Sequence, residues 1–138
     1  MTECIFCDVM DGKLPSYMIY DDDDCLAILD KYPIDNGHSL IITRQHYEKI
    51  TDMSIDDVSR LFSKVPKIIN AIIKATGADA FSIAQNNGKS AKQIIPHVHI
   101  HLIPRYNATG TLWTKRKIMS DDELKQLNKI NIQKYAMF

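Results

Sequence analysis

The sequence predicts an α+β fold, and three observations predict it. Five short segments have strand length, either apolar or alternating. Between the third and the fourth, apolar residues recur every three or four positions, the helical period. No Pro-, Gly- or Ser-rich linker interrupts the 138 residues, and that length suits one domain.

The elements follow in order. Ile5 to Asp11 reads as a short helix, stopped by Gly12 and Pro15. Tyr17 to Tyr20 reads as a strand, followed by the acidic turn Asp21 to Asp24. Cys25 to Leu29 is an apolar run of strand length that ends at Asp30. Pro33, Asn36 and Gly37 mark a loop, and Ser39 to Thr43 is the next strand. From Ser54 the period changes: Val58, Leu61, Phe62, Val65, Ile69, Ile72 and Ile73 form a stripe, predicting a helix over 54–76. Ser54 with Asp57 makes its N-cap and Gly77 its stop. Pro66 inside this run removes one backbone hydrogen bond, so an irregularity is expected there. Phe81 to Gln85 is a strand, 86–92 a polar loop, and His97 to Ile103 the last strand. Ser120 and Glu123 stand in capping-box spacing and open a helix with Leu124, Leu127 and Ile130 inward.

Composition excludes several classes. With 45% hydrophobic and 25% charged residues the chain is neither disordered nor low in complexity. Lys plus Arg and Asp plus Glu are both 17, so a basic surface for nucleic acid or an anionic membrane is absent from the balance. The acidic turn and the basic stretch Lys115 to Lys117 read as solvated surface. No apolar run approaches the ~20 residues that span a bilayer. The first residues lack the layout of a signal peptide. Three cysteines, Cys4, Cys7 and Cys25, are too few for a disulfide scaffold. A reduced, cytoplasmic protein is therefore expected, with Cys4 and Cys7 free for metal or redox work and Cys25 in the core.

The most informative segment is Pro96-His97-Val98-His99-Ile100-His101-Leu102-Ile103-Pro104-Arg105. Three histidines at spacing two share one face of a strand, while Val98, Ile100 and Leu102 point the other way, into the core. A helix would scatter the three rings. Burying three imidazoles without partners is costly, so the pattern asks for a role. Two readings remain open at this point. A His-x-His pair can hold a catalytic zinc. Alternatively, histidines can attack and bind a phosphate. Asn86, Asn87 and Gly88, followed by Lys89, Ser90, Lys92 and Gln93, offer amides and cations suited to an anion. A GxxxxGK[ST] phosphate loop is absent.

HVHIHLI resembles the histidine-triad pattern, three histidines alternating with apolar residues. CIFCDVMDGKLPSYMIYDDDDCLAILD, NGHSLIITRQH and the NNG to PHVHIHLIPR block also look like bacterial members of that family, in the same order, over most of residues 4–105. The resemblance implies a half-barrel of five antiparallel strands with the long helix packed on it. It also implies one histidine-triad domain over 1–138, core about 4–105 and C-terminal extension 106–138, and a homodimer. It implies a purine nucleotide or nucleotide adduct as ligand and hydrolysis or transfer at the α-phosphate, with phosphoramidates first and dinucleoside polyphosphates second. His99 would be the nucleophile and form a nucleotidyl-histidine intermediate. His101 would hold a phosphate oxygen and His38 would buttress the triad. Asp30 would accept the ribose hydroxyls, and Asn86 and Gln93 would contact the phosphate and leaving group. Ile5, Phe6, Leu26 and Ile28 are candidates for the base cleft.

Two departures stand out. Ile94 occupies a place where relatives often have Ser or Thr, and it cannot hydrogen-bond a leaving group. Lys92 occupies a place where glycine is common. A nucleotide-binding module with little turnover is the alternative these favour. Similarity to bacterial members also implies one structural zinc per chain on Cys4, Cys7, His46 and His97. In the tail, Trp113 is a candidate to reach a partner's site.

Overall fold

The computed structural model describes residues 4–108 and 118–129. Trp113, Lys115 to Lys117 and Ile130 lie outside the described residues. The chain runs α1 (Ile5–Met10), β1 (Met18–Asp21), β2 (Cys25–Leu29), β3 (Ser39–Thr43), α2 (Ile55–Ser63), α3 (Val65–Thr76), β4 (Ala80–Ala84), β5 (His99–Arg105) and α4 (Asp121–Asn128). The five strands form one antiparallel sheet in the order β1-β2-β3-β5-β4. The expected α+β class and five-stranded sheet are both present.

The apolar runs of β2 and β3 sit mid-sheet because both of their faces are covered. One face carries Cys25, Ala27, Ile41, Ile100 and Leu102 against Leu61, Val65, Ile68, Ile69 and Ile72 of α2 and α3. The other carries Leu26, Ile28, Leu40 and Ile42 against Cys4 and Phe6. The edge strands β1 and β4 are largely exposed.

The helical stripe over 54–76 is two helices rather than one. Lys64 ends α2 and begins α3, and Pro66 falls in the first turn of α3, where its missing N–H is no loss. The expected irregularity is therefore a break just ahead of the proline. Ser54 accepts from the Asp57 amide, and Gly77 closes α3 in the left-handed region, as their types demand. The Ser120–Glu123 capping box is formed. Leu124 and Leu127, expected inward, are exposed: α4 has the helical period, but no other described element buries that stripe.

The last strand begins at His99, not His97. The His97 amide bonds back to the Ile95 carbonyl, and the Val98 amide reaches the Tyr47 carbonyl, so the two residues enter the sheet through loop contacts. The alternation survives: Val98 is in the helix-side core, and His97 and His99 both meet Phe6 on the opposite side.

Candidate active site and metal centre

β3 pairs with β5 so that Leu40 lies opposite His101 and Ile42 opposite His99. That register sets both imidazoles on the sheet face away from α2 and α3. Their rings lie 5.0 Å apart. His38 enters from the residue before β3.

Hydrogen bonds fix the state of each ring. The Ile34 amide donates to His38 Nδ1 over 2.9 Å. The His38 proton is therefore on Nε2, which donates to His101 Nδ1, also at 2.9 Å, with Asp30 Oδ2 3.4 Å away. His101 in turn carries its proton on Nε2. His99 Nδ1 donates to the His97 carbonyl over 2.6 Å, so its own Nε2 keeps a lone pair. Burial lowers the pKa of His38 and His99 below the ordinary 6.5. Burial, with His99 and His38 alongside, holds His101 at about 4. These rings are neutral near pH 7. The site thus pairs an unprotonated imidazole nitrogen with a neutral N–H donor, rather than with the imidazolium that the residue type suggests.

Around this pair, Asp30 accepts from the Tyr32 amide and is partly exposed. Ile28 and Leu26 are buried on the same face. Phe6 is 3% exposed and lies edge-on against the rings of both His97 and His99. Ile5 is exposed. Ala84 stands opposite His101, so the loop that begins with Gln85 and Asn86 leaves the sheet at the histidines. Gln93 spends its amide on backbone groups, accepting from the Gly88 N–H of its own loop and donating to the Glu48 carbonyl of the segment after β3, each at 2.6 Å. Lys92 adopts φ 64°, a left-handed conformation that costs a lysine more than a glycine. Ile94 is 90% exposed.

Beside the triad lies a second cluster. Cys4, Cys7, His46 and His97 each offer one ligand atom, all within 4.8 Å of one another. His97 Nδ1 is 3.3 Å from Cys4 Sγ, 3.6 Å from Cys7 Sγ and 3.2 Å from His46 Nδ1, and His46 Nδ1 is 3.3 Å from Cys7 Sγ. A tetrahedral site with Zn–N of about 2.0 Å and Zn–S of about 2.3 Å has edges of about 3.3–3.8 Å. The donor set fits. The surroundings fit as well: His97 Nε2 faces the Thr43 carbonyl at 2.8 Å and Thr43 Oγ1 at 3.1 Å, which turns the Nδ1 lone pair into the cluster. The Cys7 amide donates to Cys4 Sγ. Burial and the Cys4 sulfur push the Cys7 thiol up to about 11, so a cation is what would let both sulfurs ionise. Cys25 is fully buried in the helix-side core, as expected, and its thiol is pushed up to about 12 by burial.

Two groups escaped the residue-by-residue reading. Thr43 orients His97, and the Ile34 amide orients His38. Both act mainly through backbone atoms, which no side-chain pattern advertises. Among the described residues no helix is long and apolar enough to cross a membrane.

Comparison with known proteins bears on all of this. The HIT domain model matches residues 11–108. The chain is 45% identical over 116 residues to Adenylylsulfatase HINT3 of Arabidopsis thaliana, covering 84% of this chain and 58% of that relative. It is 34% identical over 127 residues to Adenosine 5'-monophosphoramidase hnt1 of Schizosaccharomyces pombe, covering 90% and 92%. Among solved structures, a member of the HIT family from Bacillus subtilis superposes with a TM-score of 0.84 at 30% identity, covering 96% of each chain. A Zn-bound histidine triad family protein from Mycobacterium smegmatis superposes at 0.74 and 31% identity, again covering 96% of each. Matched across most of its length by model, sequence and fold, the chain belongs to the histidine triad, or HIT, family.

Proposed function

We propose that this chain hydrolyses adducts of a purine nucleoside monophosphate, releasing the monophosphate through a covalent intermediate on His99. One observation carries the reading: His99 donates its Nδ1 proton to the His97 carbonyl and so keeps a lone pair on Nε2, with the His101 ring 5.0 Å away. In the first step Nε2 attacks the α-phosphorus and the bond from phosphorus to the leaving group breaks, the leaving group taking the electron pair. Water then attacks the same phosphorus and the P–N bond to His99 breaks, restoring the imidazole. His101, held as an Nε2–H donor by His38, stabilises a phosphoryl oxygen. Asp30 receives the ribose hydroxyls, Leu26 and Ile28 form the apolar floor for the base, and Asn86 and the Gln93 loop border the phosphate and leaving group.

The substrate class follows the names of the relatives, one an adenylylsulfatase and one an adenosine monophosphoramidase. Phosphoramidates are the first choice and dinucleoside polyphosphates the second. Cys4, Cys7, His46 and His97 hold one structural zinc per chain; the Zn-bound relative supports this. A single domain, a cytoplasmic homodimer and the absence of nucleic-acid or membrane partners complete the proposal.

A second reading has a specific basis. With the Gln93 amide engaged by the Gly88 N–H and the Glu48 carbonyl and Ile94 unable to donate a proton, the site suits a nucleotide-binding module with little turnover. Incubation with adenosine phosphoramidate and with diadenosine polyphosphates, followed by nucleotide chromatography and intact mass, separates the two. Release of AMP with a mass increase of one adenylyl group (AMP less water) on wild type, both lost in His99→Ala, supports the hydrolase. Binding of AMP without adduct or product supports the module, and equal turnover by His99→Ala rejects the covalent mechanism.

A further inference from the structure

We infer that Phe6 is a positioning residue that ties the Cys/His cluster to the reacting ring of His99, an inference that rests on the role given to His99 above. Phe6 sits between Cys4 and Cys7 in the first turn of α1. Its ring meets His97 at 5.9 Å and 87°, and His99 at 4.9 Å and 72°. At 3% exposure its ring is packed on all sides, so the two imidazoles against it are held by a fixed neighbour.

The two rings it touches are linked through the backbone as well. His97 carries three constraints: its Nε2 is held by Thr43, its Nδ1 belongs to the cluster, and its carbonyl receives the His99 proton. That last bond selects which nitrogen of His99 is protonated, and it persists only while the ring keeps the tilt that brings Nδ1 to the carbonyl. Edge-on packing of Phe6 holds that tilt. Cys4 and Cys7 anchor the turn that bears Phe6, so the four donors, Phe6 and His99 behave as one body. Closing the cluster seats Phe6, and Phe6 seats His99. The cluster therefore acts on the reaction without touching the nucleotide. A displacement of about 1 Å at a reacting atom is enough to cost on the order of a hundredfold in rate.

The test uses full-length, zinc-loaded protein with 15N-labelled histidine, whose five rings are few enough to assign. Wild type is expected to show His99 as a single Nδ1–H tautomer. Phe6→Leu, with metal analysis still giving one zinc per chain, is expected to show an averaged His99 signal. Its kcat on adenosine phosphoramidate should fall about tenfold or more while KM stays within about twofold, as expected for lost positioning rather than lost binding. Phe6→Tyr, which keeps the ring, should restore both. An unchanged His99 signal in folded, zinc-loaded Phe6→Leu overturns the inference, and so does a raised KM at constant kcat. If Phe6→Leu does not fold, Phe6→Met takes its place under the same readings: an unchanged His99 signal overturns the inference, an averaged one with zinc still bound upholds it. Absence of any AMP adduct on wild type would instead reject the His99 nucleophile, and the resonance measurements still judge the positioning.

Discussion

His38 and His101 share one proton across 2.9 Å, and the Ile34 amide decides which of them owns it. Because that amide occupies His38 Nδ1, the proton sits on His38 Nε2 and His101 must accept. The arrangement predicts a pH dependence. Burial and the two neighbouring histidines hold His101 at about 4, against the ordinary 6.5. The unfolded chain thus takes up a proton as pH falls through 6.5, while the native chain waits until about 4. Stability is complete above pH 7 and declines between 6.5 and 4, by on the order of 3 kcal/mol from this group. Thermal melts from pH 7.5 to 4.5 measure the slope, and His101→Gln should make it shallower. It should not abolish the slope, because burial also lowers His38, His97 and His99. An identical slope in the variant would reject the assignment.

The cysteine cluster predicts a stability cost rather than a purely chemical one. Cys4 is 6% exposed, caps α1 by accepting from the Cys7 amide, and stands 3.3 Å from His97 Nδ1. Cys4→Ser should lose most bound zinc by metal analysis. Its melting temperature should fall by about 6 °C or more, the equivalent of about 2 kcal/mol in a domain of this size. A zinc-free wild type, with Cys4→Ser melting where wild type does, would remove the proposed metal.

Much of the sheet was legible because its strands are short and their patterns unambiguous. Cys25 to Leu29 and Ser39 to Thr43 are strands end to end, and their unbroken apolar character reports cover on both faces. Alternation put the three histidines on one side, which the contacts of Phe6 with His97 and His99 and of His99 with His101 bear out. What the sequence hid is non-local. Pro66 announces an irregularity, but not that one helix ends and a second begins at Lys64. Leu124 and Leu127 announce an amphipathic helix without naming what covers it. Gln93 looks like a free amide until the Gly88 N–H and the Glu48 carbonyl claim it.

Ile94 predicts a gain of function. An amine leaving from phosphorus needs a proton, whereas a sulfate leaves as a stable anion and needs none. Ile94 is 90% exposed in the loop that leads to His97, so a hydroxyl there has room and costs little packing. Ile94→Ser should raise kcat/KM for adenosine phosphoramidate several-fold, by up to about tenfold, less than the roughly 10²–10⁴-fold of a fully positioned general acid. It should leave adenylyl sulfate within about twofold, because that departure needs no proton. Parallel kinetics on the two substrates give the ratio directly, and equal changes on both would reject a leaving-group role for this position.

Gly37 predicts the tightest steric constraint near the site. It precedes His38 at φ +91°, where a side chain is strained whatever the space. A Cβ there would lie 2.9 Å from Thr76 Cγ2 and 3.2 Å from Pro104 Cγ. Thr76 is held by its own hydroxyl bond to the Ile72 carbonyl, and Pro104 is buried in β5, so neither yields easily. Gly37→Ala should therefore destabilise by about 2 kcal/mol, combining left-handed strain with overpacking. Thr76→Ser removes the nearer methyl and should recover part of that loss in the double variant, leaving the backbone strain behind. Denaturant melts of the four proteins close the cycle. Additive losses, with no recovery in the double variant, would mean that the Thr76 contact plays no part and that backbone conformation alone demands the glycine.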